Sequence, residues 1–252
     1  MDAIELQLRY EAGERDFRNI DLARANLSDV KLLGVNLRDA NLSGADLMCA
    51  DLSSADLTGI DLSDADLCGA ELLSADLSDA NLSGIQLLGA NLSDATLRSA
   101  NLRHASLRYA NLSDADLVSA NLSYANLLKA DLFGAKLFCA DLSYTQLLGT
   151  NLFGANLFCA DLSYANLLGA NLSYANLLGA KICYPTSLLA ANLSGTNLRD
   201  ANLSGVDLET ATLTEAKMVD VYLKKATLQP SHMEHAKLRR FIRAASGEKM
   251  LR

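Results

Sequence analysis

Residues 121–140 read NLSYANLLKADLFGAKLFCA, residues 141–160 read DLSYTQLLGTNLFGANLFCA, and residues 161–180 read DLSYANLLGANLSYANLLGA. The three segments align without a gap. Within each, Leu returns at every fifth position: Leu122, Leu127, Leu132, Leu137 and onward. A period of five matches neither the roughly 3.6 of a helix nor the 2 of a strand. If every Leu is to face the same interior, the chain must turn a corner in each unit. The period of five leaves the number of corners open. The higher repeat of 20 residues is four units long, and so predicts a four-sided coil.

The leucine series runs outward from this segment in both directions. Call each Leu position i. The series begins at Phe17, passes Leu22 and Leu27, and reaches Leu177 and Ile182 without interruption. The next member is Leu188, so a one-residue register slip lies near residues 183–187, around Tyr184-Pro185. The series then resumes through Leu193, Leu208, Met218, Leu228 and Met233 to Leu238, giving about 45 units in about 11 coils. Position i−2 is small, usually Ala, because the corner of a narrow coil leaves room for little else. Position i−1 is usually Asn or Asp. Positions i+1 and i+2 are Ser, Gly, Asp or variable. Hence i and i−2 face inward and the other three face water. If backbone bonds join the coils, they stack about 4.7–4.9 Å apart, for a rod on the order of 50 Å long. One coil cannot bury its leucines alone, but stacked coils bury each other's.

Composition agrees with a repeat. Of 252 residues, 50% are hydrophobic, yet only 6% are aromatic, with no Trp and two Pro. The net charge of −8 argues against direct nucleic-acid binding, which needs cations against phosphate. Five cysteines, an odd number with no C-x-x-C pair, point to a reducing compartment and to no zinc site. The opening MDAIELQLRYEAGERDF has neither the basic region nor the apolar run of a secretory signal, and no stretch approaches a membrane span. The expected location is the cytoplasm.

The pattern A(N/D)Lxx over residues 15–240 resembles the pentapeptide-repeat family. That resemblance implies an all-β solenoid, a right-handed quadrilateral β-helix with short helical caps. The segment ELQLRYEAGERDF also resembles the N-terminal cap of cyanobacterial members. The chain departs from the family in using Leu almost everywhere at position i, with Phe only at Phe17.

The expected organisation has three parts. Residues 1–14 form an N-terminal cap. Ile4, Leu6, Leu8 and Tyr10 alternate like a strand, whereas Asp2 with Glu5, and Gly13 after the run, suit a capped helix. Residues 15–240 form the β-helix. Residues 236–252 form a capping helix, with Leu238, Phe241, Ile242 and Ala245 on one face, and a basic tail carrying Lys237, Arg239, Arg240, Arg243, Lys249 and Arg252.

Two surface features are candidate binding sites. Tyr124, Tyr144, Tyr164 and Tyr184 recur every 20 residues at i+2, and Phe133 with Phe153 and Phe138 with Phe158 do the same on two other sides. Such rings either mark an interaction site or stack to hold coils together. The second feature is an acidic band over residues 41–80, with Asp46, Asp51, Asp56, Asp61, Asp64, Asp66, Glu71, Asp76, Asp79 and no Lys or Arg. The 20-residue spacing sets Asp46 beside Asp66, Asp51 beside Glu71 and Asp56 beside Asp76. These carboxylates either meet a basic partner or a cation, or accept local backbone N–H bonds.

His104, His232 and His235 do not cluster with Cys at ligand spacing, and no nucleophile–base pair or phosphate loop is present. No cofactor and no metal are expected. These features together predict a non-enzymatic protein-interaction module, regulatory or scaffolding, that binds another protein on its exterior as a monomer or end-to-end dimer. The resemblance implies an alternative, since some family members mimic B-form DNA and protect DNA gyrase. The rod and the negative charge suit that reading. The basic C-terminal segment, the lack of inserted loops and the near absence of Phe at i depart from it.

Overall fold

The computed structural model describes residues 1–229. The expected C-terminal helix and basic tail, with His232, Met233, His235 and Leu238, lie outside the described residues. From Asp16 to the last described residues the chain forms four-sided coils. Each side pairs in parallel with the side 20 residues later, as in Asn121↔Asp141 and Asp141↔Asp161. The faces are numbered here by their inward leucines: face 1 carries Leu122, face 2 Leu127, face 3 Leu132 and face 4 Leu137.

The backbone hydrogen bonds explain the five-residue code. In the unit around Leu127, the Ala125 N–H donates to Leu122 O at 2.9 Å, closing the corner. The Asn126 N–H donates back to Ala105 O at 2.9 Å, and the Leu127 and Lys129 N–H groups donate forward to Gln146 O at 2.8 Å and Leu148 O at 3.0 Å. Four of the five donors are thus used by the corner and by the two neighbouring coils. The fifth, on Leu128, points outward and is taken by Asn126 Oδ1 at 3.1 Å. Asn or Asp at i−1 is therefore the residue whose short side chain satisfies the one N–H that the coil leaves over.

Each corner is a hydrogen-bonded turn with a left-handed residue at i+2, the arrangement of a type II turn. From Asn19 to Lys225 every i+2 residue has positive φ except Tyr184 and Thr210. Both exceptions have a steric cause. Tyr184 precedes Pro185, whose ring restricts the residue before it. Thr210 is β-branched, and the left-handed region is closed to such a side chain. Its hydroxyl compensates locally by accepting the Ala190 N–H at 2.9 Å.

The interior is two kinds of column. Residues at i are buried from Phe17 to Met218, and those at i−2 are buried beside them from Val30 to Val221, with Ile20, Ala25, Leu223 and Leu228 partly buried at the two ends. Four i−2 positions hold threonine in place of an apolar residue. Thr145, Thr150, Thr186 and Thr196 turn their hydroxyls onto main-chain carbonyls, at 2.6 Å to Leu142, 2.8 Å to Leu127, 2.9 Å to Leu162 and 2.7 Å to Leu193. Among the described residues no buried side-chain polar atom lacks a partner.

The slip is confined to one side of one coil. Pairing shifts from 20 to 21 residues at Asn166↔Ser187 and returns to 20 at Ser187↔Asp207. The extra residue lies between Lys181 and Ser187, where the Tyr184-Pro185 bond is cis. Ile182 and Leu188 on either side remain buried, so the core column continues across it.

The first coil is covered by α1 (Ala3–Glu11), so of the two readings of residues 4–10 the helix is the one found. Asp2 caps it by accepting the Glu5 N–H at 2.8 Å. Leu6 is the buried plug over the open end, above Phe17. Tyr10 ties the helix to the fourth side of the first coil by donating to Leu33 O at 2.9 Å, and the Arg15 guanidinium lies 3.7 Å from the Tyr10 ring centroid. No helix among the described residues is long and apolar enough to cross a membrane.

Candidate partner-binding surface

On face 1 the left-handed i+2 residue projects from the corner, and three tyrosines stand there in consecutive coils. The Tyr124 and Tyr144 rings stack at 4.7 Å and 4°, and Tyr144 and Tyr164 at 4.4 Å and 8°. The separation is close to the coil repeat, so in-register pairing alone brings the rings into van der Waals contact. Desolvation between its neighbours pushes the Tyr144 hydroxyl up from its ordinary value, and Tyr164 and Tyr124 add to the shift. Tyr184, the fourth expected rung, does not join. Lacking the left-handed conformation, it swings away from the ladder and is 72% exposed. His104 extends the ladder at the other end, 5.1 Å from Tyr124, where the Arg103 guanidinium also lies 5.3 Å from the ring. The spacing of 20 from Tyr124 was the signal for His104.

Faces 3 and 4 carry the phenylalanines. Phe133 and Phe153 stack at 5.6 Å, and Phe138 and Phe158 at 5.0 Å. Phe153 also meets the tilted ring of Tyr174 at 5.4 Å. Face 2 holds a ladder without rings: Leu148, Leu168 and Leu189 are exposed at i+1 in consecutive coils. Their 20- and 21-residue spacings were legible, but in a chain where Leu marks the interior an outward Leu does not stand out. The coils of residues 121–180 are therefore girdled by apolar side chains on all four faces.

The acidic band is arranged differently. Asp46 pairs with Asp66, Asp51 with Glu71 and Asp56 with Asp76 in adjacent coils, as the spacing implied. Each aspartate at i−1 already has a local task. Asp46, Asp51, Asp56, Asp61, Asp66 and Asp76 accept the N–H two residues on, at 2.9–3.1 Å. Glu71 accepts instead from Asn91 Nδ2 at 2.8 Å. It ends a ladder of amides, because Asn111 donates to Asn91 in turn. Asn101→Asn81→Asp61 and Asn171→Asn151→Asp131 run the same way. An amide both donates and accepts, whereas a carboxylate only accepts, so in these ladders the acid stands at the accepting end.

One acid in the girdle is ion-paired. Asp161 Oδ2 lies 3.1 Å from Lys181 Nζ one coil on. Burial works to raise the Asp161 carboxyl, but the Ser163 hydrogen bonds and Lys181 outweigh it and hold it below its ordinary value. A lowered carboxyl stabilises the fold above its unfolded pKa, and that contribution is lost as pH falls through the folded value. Lys181→Met is expected to move the Asp161 pKa upward, as read by side-chain NMR titration; an unchanged value would show that Ser163 alone holds it.

Among the described residues, no group of three or more His, Cys, Asp or Glu is placed to hold a metal ion. Arg98 clamps buried Asp116 in the next coil at 2.7 Å and 2.9 Å, an ion pair between coils.

A family model described as pentapeptide repeats matches residues 15–44, 45–84, 85–123, 100–137, 115–152, 150–183 and 191–229. Among solved structures, HetL, a pentapeptide repeat protein involved in heterocyst differentiation regulation from the cyanobacterium Nostoc sp. strain PCC 7120, is 35% identical over 90% of this chain and 94% of its own, with a TM-score of 0.69. The pentapeptide repeat protein alr5209 of Nostoc PCC 7120 is 40% identical over 42% of this chain and 80% of its own, with a TM-score of 0.22. QnrB1, a plasmid-mediated fluoroquinolone resistance protein, is 16% identical over 87% of this chain and 95% of its own, with a TM-score of 0.40. No curated protein matches the chain. The five-residue code, the 20-residue parallel pairing and the match along most of the chain agree: this protein belongs to the pentapeptide-repeat family, and its fold is the right-handed quadrilateral β-helix.

Proposed function

We propose that this protein is a non-enzymatic, cytoplasmic interaction module that holds a protein partner against the girdle of residues 124–168. The observation that carries this reading is the stacking of exposed rings and leucines in consecutive coils on every face of one stretch. Tyr124, Tyr144, Tyr164, Phe133, Phe153, Phe138, Leu148 and Leu168 are exposed within a few coils, whereas the coils of residues 41–80 expose Met48 and Leu73 amid Asp and Ser. Contiguous apolar surface of this kind marks interaction sites on soluble proteins. The likeness to HetL supports a regulatory role, because that protein is itself involved in regulation.

The test compares the intact chain with Tyr144→Ser/Tyr164→Ser in affinity capture from cyanobacterial lysate. Serine already occupies the left-handed i+2 position at Ser54, Ser74, Ser99 and Ser119, so the double variant keeps the fold. Capture is expected to fall at least about tenfold, since two truncated anchors at roughly 1 kcal/mol or more each suffice for that factor. Equal capture by both proteins would overturn the girdle as the binding surface.

The second reading, mimicry of DNA toward gyrase, rests on the stacked carboxylates of residues 46–76. It requires inhibition of gyrase supercoiling that survives the tyrosine substitutions.

A further inference from the structure

We propose that Cys139 and Cys159 are a modification site: a pair of thiols that oxidise to an intrachain disulfide stapling two adjacent coils of the girdle. The pairing Lys136↔Asn156 puts the two cysteines at the same i+2 position of successive coils on face 4, with φ of 55° and 56°. The Cys139 N–H donates to Phe158 O at 2.9 Å, so the backbones are locked in register beside the sulfurs. Parallel strands about 4.8 Å apart fall inside the Cα separation that a disulfide spans.

The direction of the thiols is also right. A Cβ added to Gly179, one coil beyond Cys159, would lie 3.3 Å from Cys159 Sγ, and one added to Gly69 would lie 3.5 Å from Cys49 Sγ. A cysteine at i+2 thus aims its sulfur at the Cβ position one coil on. In a disulfide that separation is about 3.0 Å, so closure asks for a few tenths of an ångström and a turn of the Cys159 side chain toward Cys139. No other two cysteines share this arrangement. Cys49 and Cys68 lie in adjacent coils but one position out of step, since the Cys49 N–H donates to Cys68 O itself. Cys183 faces Ser163 Oγ at 3.5 Å. Both Cys139 and Cys159 are exposed, so a small oxidant reaches them.

The oxidant is a low-molecular-weight disulfide. One cysteine thiolate attacks it, forms a mixed disulfide and releases one thiol. The second cysteine then attacks the mixed disulfide and releases the other. Two protein thiols give up two electrons and two protons, and the small disulfide leaves as two thiols. Burial pushes the Cys159 thiol up, with Cys139 adding, so the reaction accelerates as pH rises toward the alkaline range.

The experiment treats the full chain with oxidised glutathione, then uses intact mass, chymotryptic mapping without reductant and thermal unfolding. Chymotrypsin is required because no Lys or Arg lies between the two cysteines. The expected product has lost two hydrogens, links the peptides of Cys139 and Cys159 within one chain, and melts about 5–10 °C higher until dithiothreitol reverses the shift. Cys139→Ser should instead trap glutathione on Cys159 with no such rise in melting; Ser99 and Ser119 show that this column accepts serine. Stable glutathione on both cysteines, a link between chains, or two unreacted thiols at alkaline pH would each overturn the proposal.

Discussion

Leu157→Ala is expected to destabilise the rod by about 2–5 kcal/mol, toward the upper end of that range. Leu157 is fully buried in the face 4 column between Leu137 and Leu177. Truncation removes transfer energy and leaves a cavity, and the size of the loss depends on how far the surroundings collapse. Here they can collapse little. The Leu157 N–H donates to Asn176 O at 2.8 Å, and the Leu137 N–H to Asn156 O at 2.7 Å, so the spacing of the coils is set by backbone bonds rather than by side-chain volume. Urea unfolding followed by far-UV circular dichroism measures the loss. Leu157→Met, which conserves volume, should cost less than about 1.5 kcal/mol. A loss below about 1 kcal/mol for the alanine variant would mean that the coils close over the gap, against the rigid-ladder account.

Gly89→Val is expected to cost about 1–3 kcal/mol, although the new Cβ meets no atom. Gly89 has φ of 65°, and a Cβ added there meets nothing within 4 Å. Any loss must therefore come from forcing a β-branched residue into the left-handed region. The chain contains its own control, since Thr210, β-branched at the equivalent position, does not take the positive φ found at its neighbours Glu215 and Gly205. Gly89→Asn, with a side chain that tolerates this conformation, should be within a few tenths of a kcal/mol of the parent by the same unfolding measurement. If valine and asparagine prove equally tolerated, the corner does not hold its residue in the left-handed conformation as tightly as the geometry implies.

The candidate surface was legible unevenly. Spacing alone located the stacked tyrosines and phenylalanines, because in a coil of constant length residues 20 apart must be neighbours. It did not disclose that Tyr184 leaves the ladder, which follows from the constraint Pro185 places on the residue before it. Nor did it separate the exposed Leu148, Leu168 and Leu189 from the leucines of the core by residue type. The acidic band was visible as charge, but its hydrogen bonding was not. Whether Asp46 or Asp76 faces a partner or its own backbone depends on where the N–H two residues on is aimed, and only the corner geometry says that.

The amino-acid sequence by itself determined the five-residue period, the four-sided coil, the inward columns and the position of the slip between Ile182 and Leu188. These are properties of order along a chain, and a repeat states them at every turn. The tertiary structure decided the rest: the left-handed corner at i+2, the use of Asn and Asp to satisfy the one N–H left over, the ladders of amides ending on carboxylates, and the direction in which a thiol at i+2 points. Each of these depends on the direction of a bond at a corner and on what the neighbouring coil sets beside it, and the direction of a bond is not written in the order of residues.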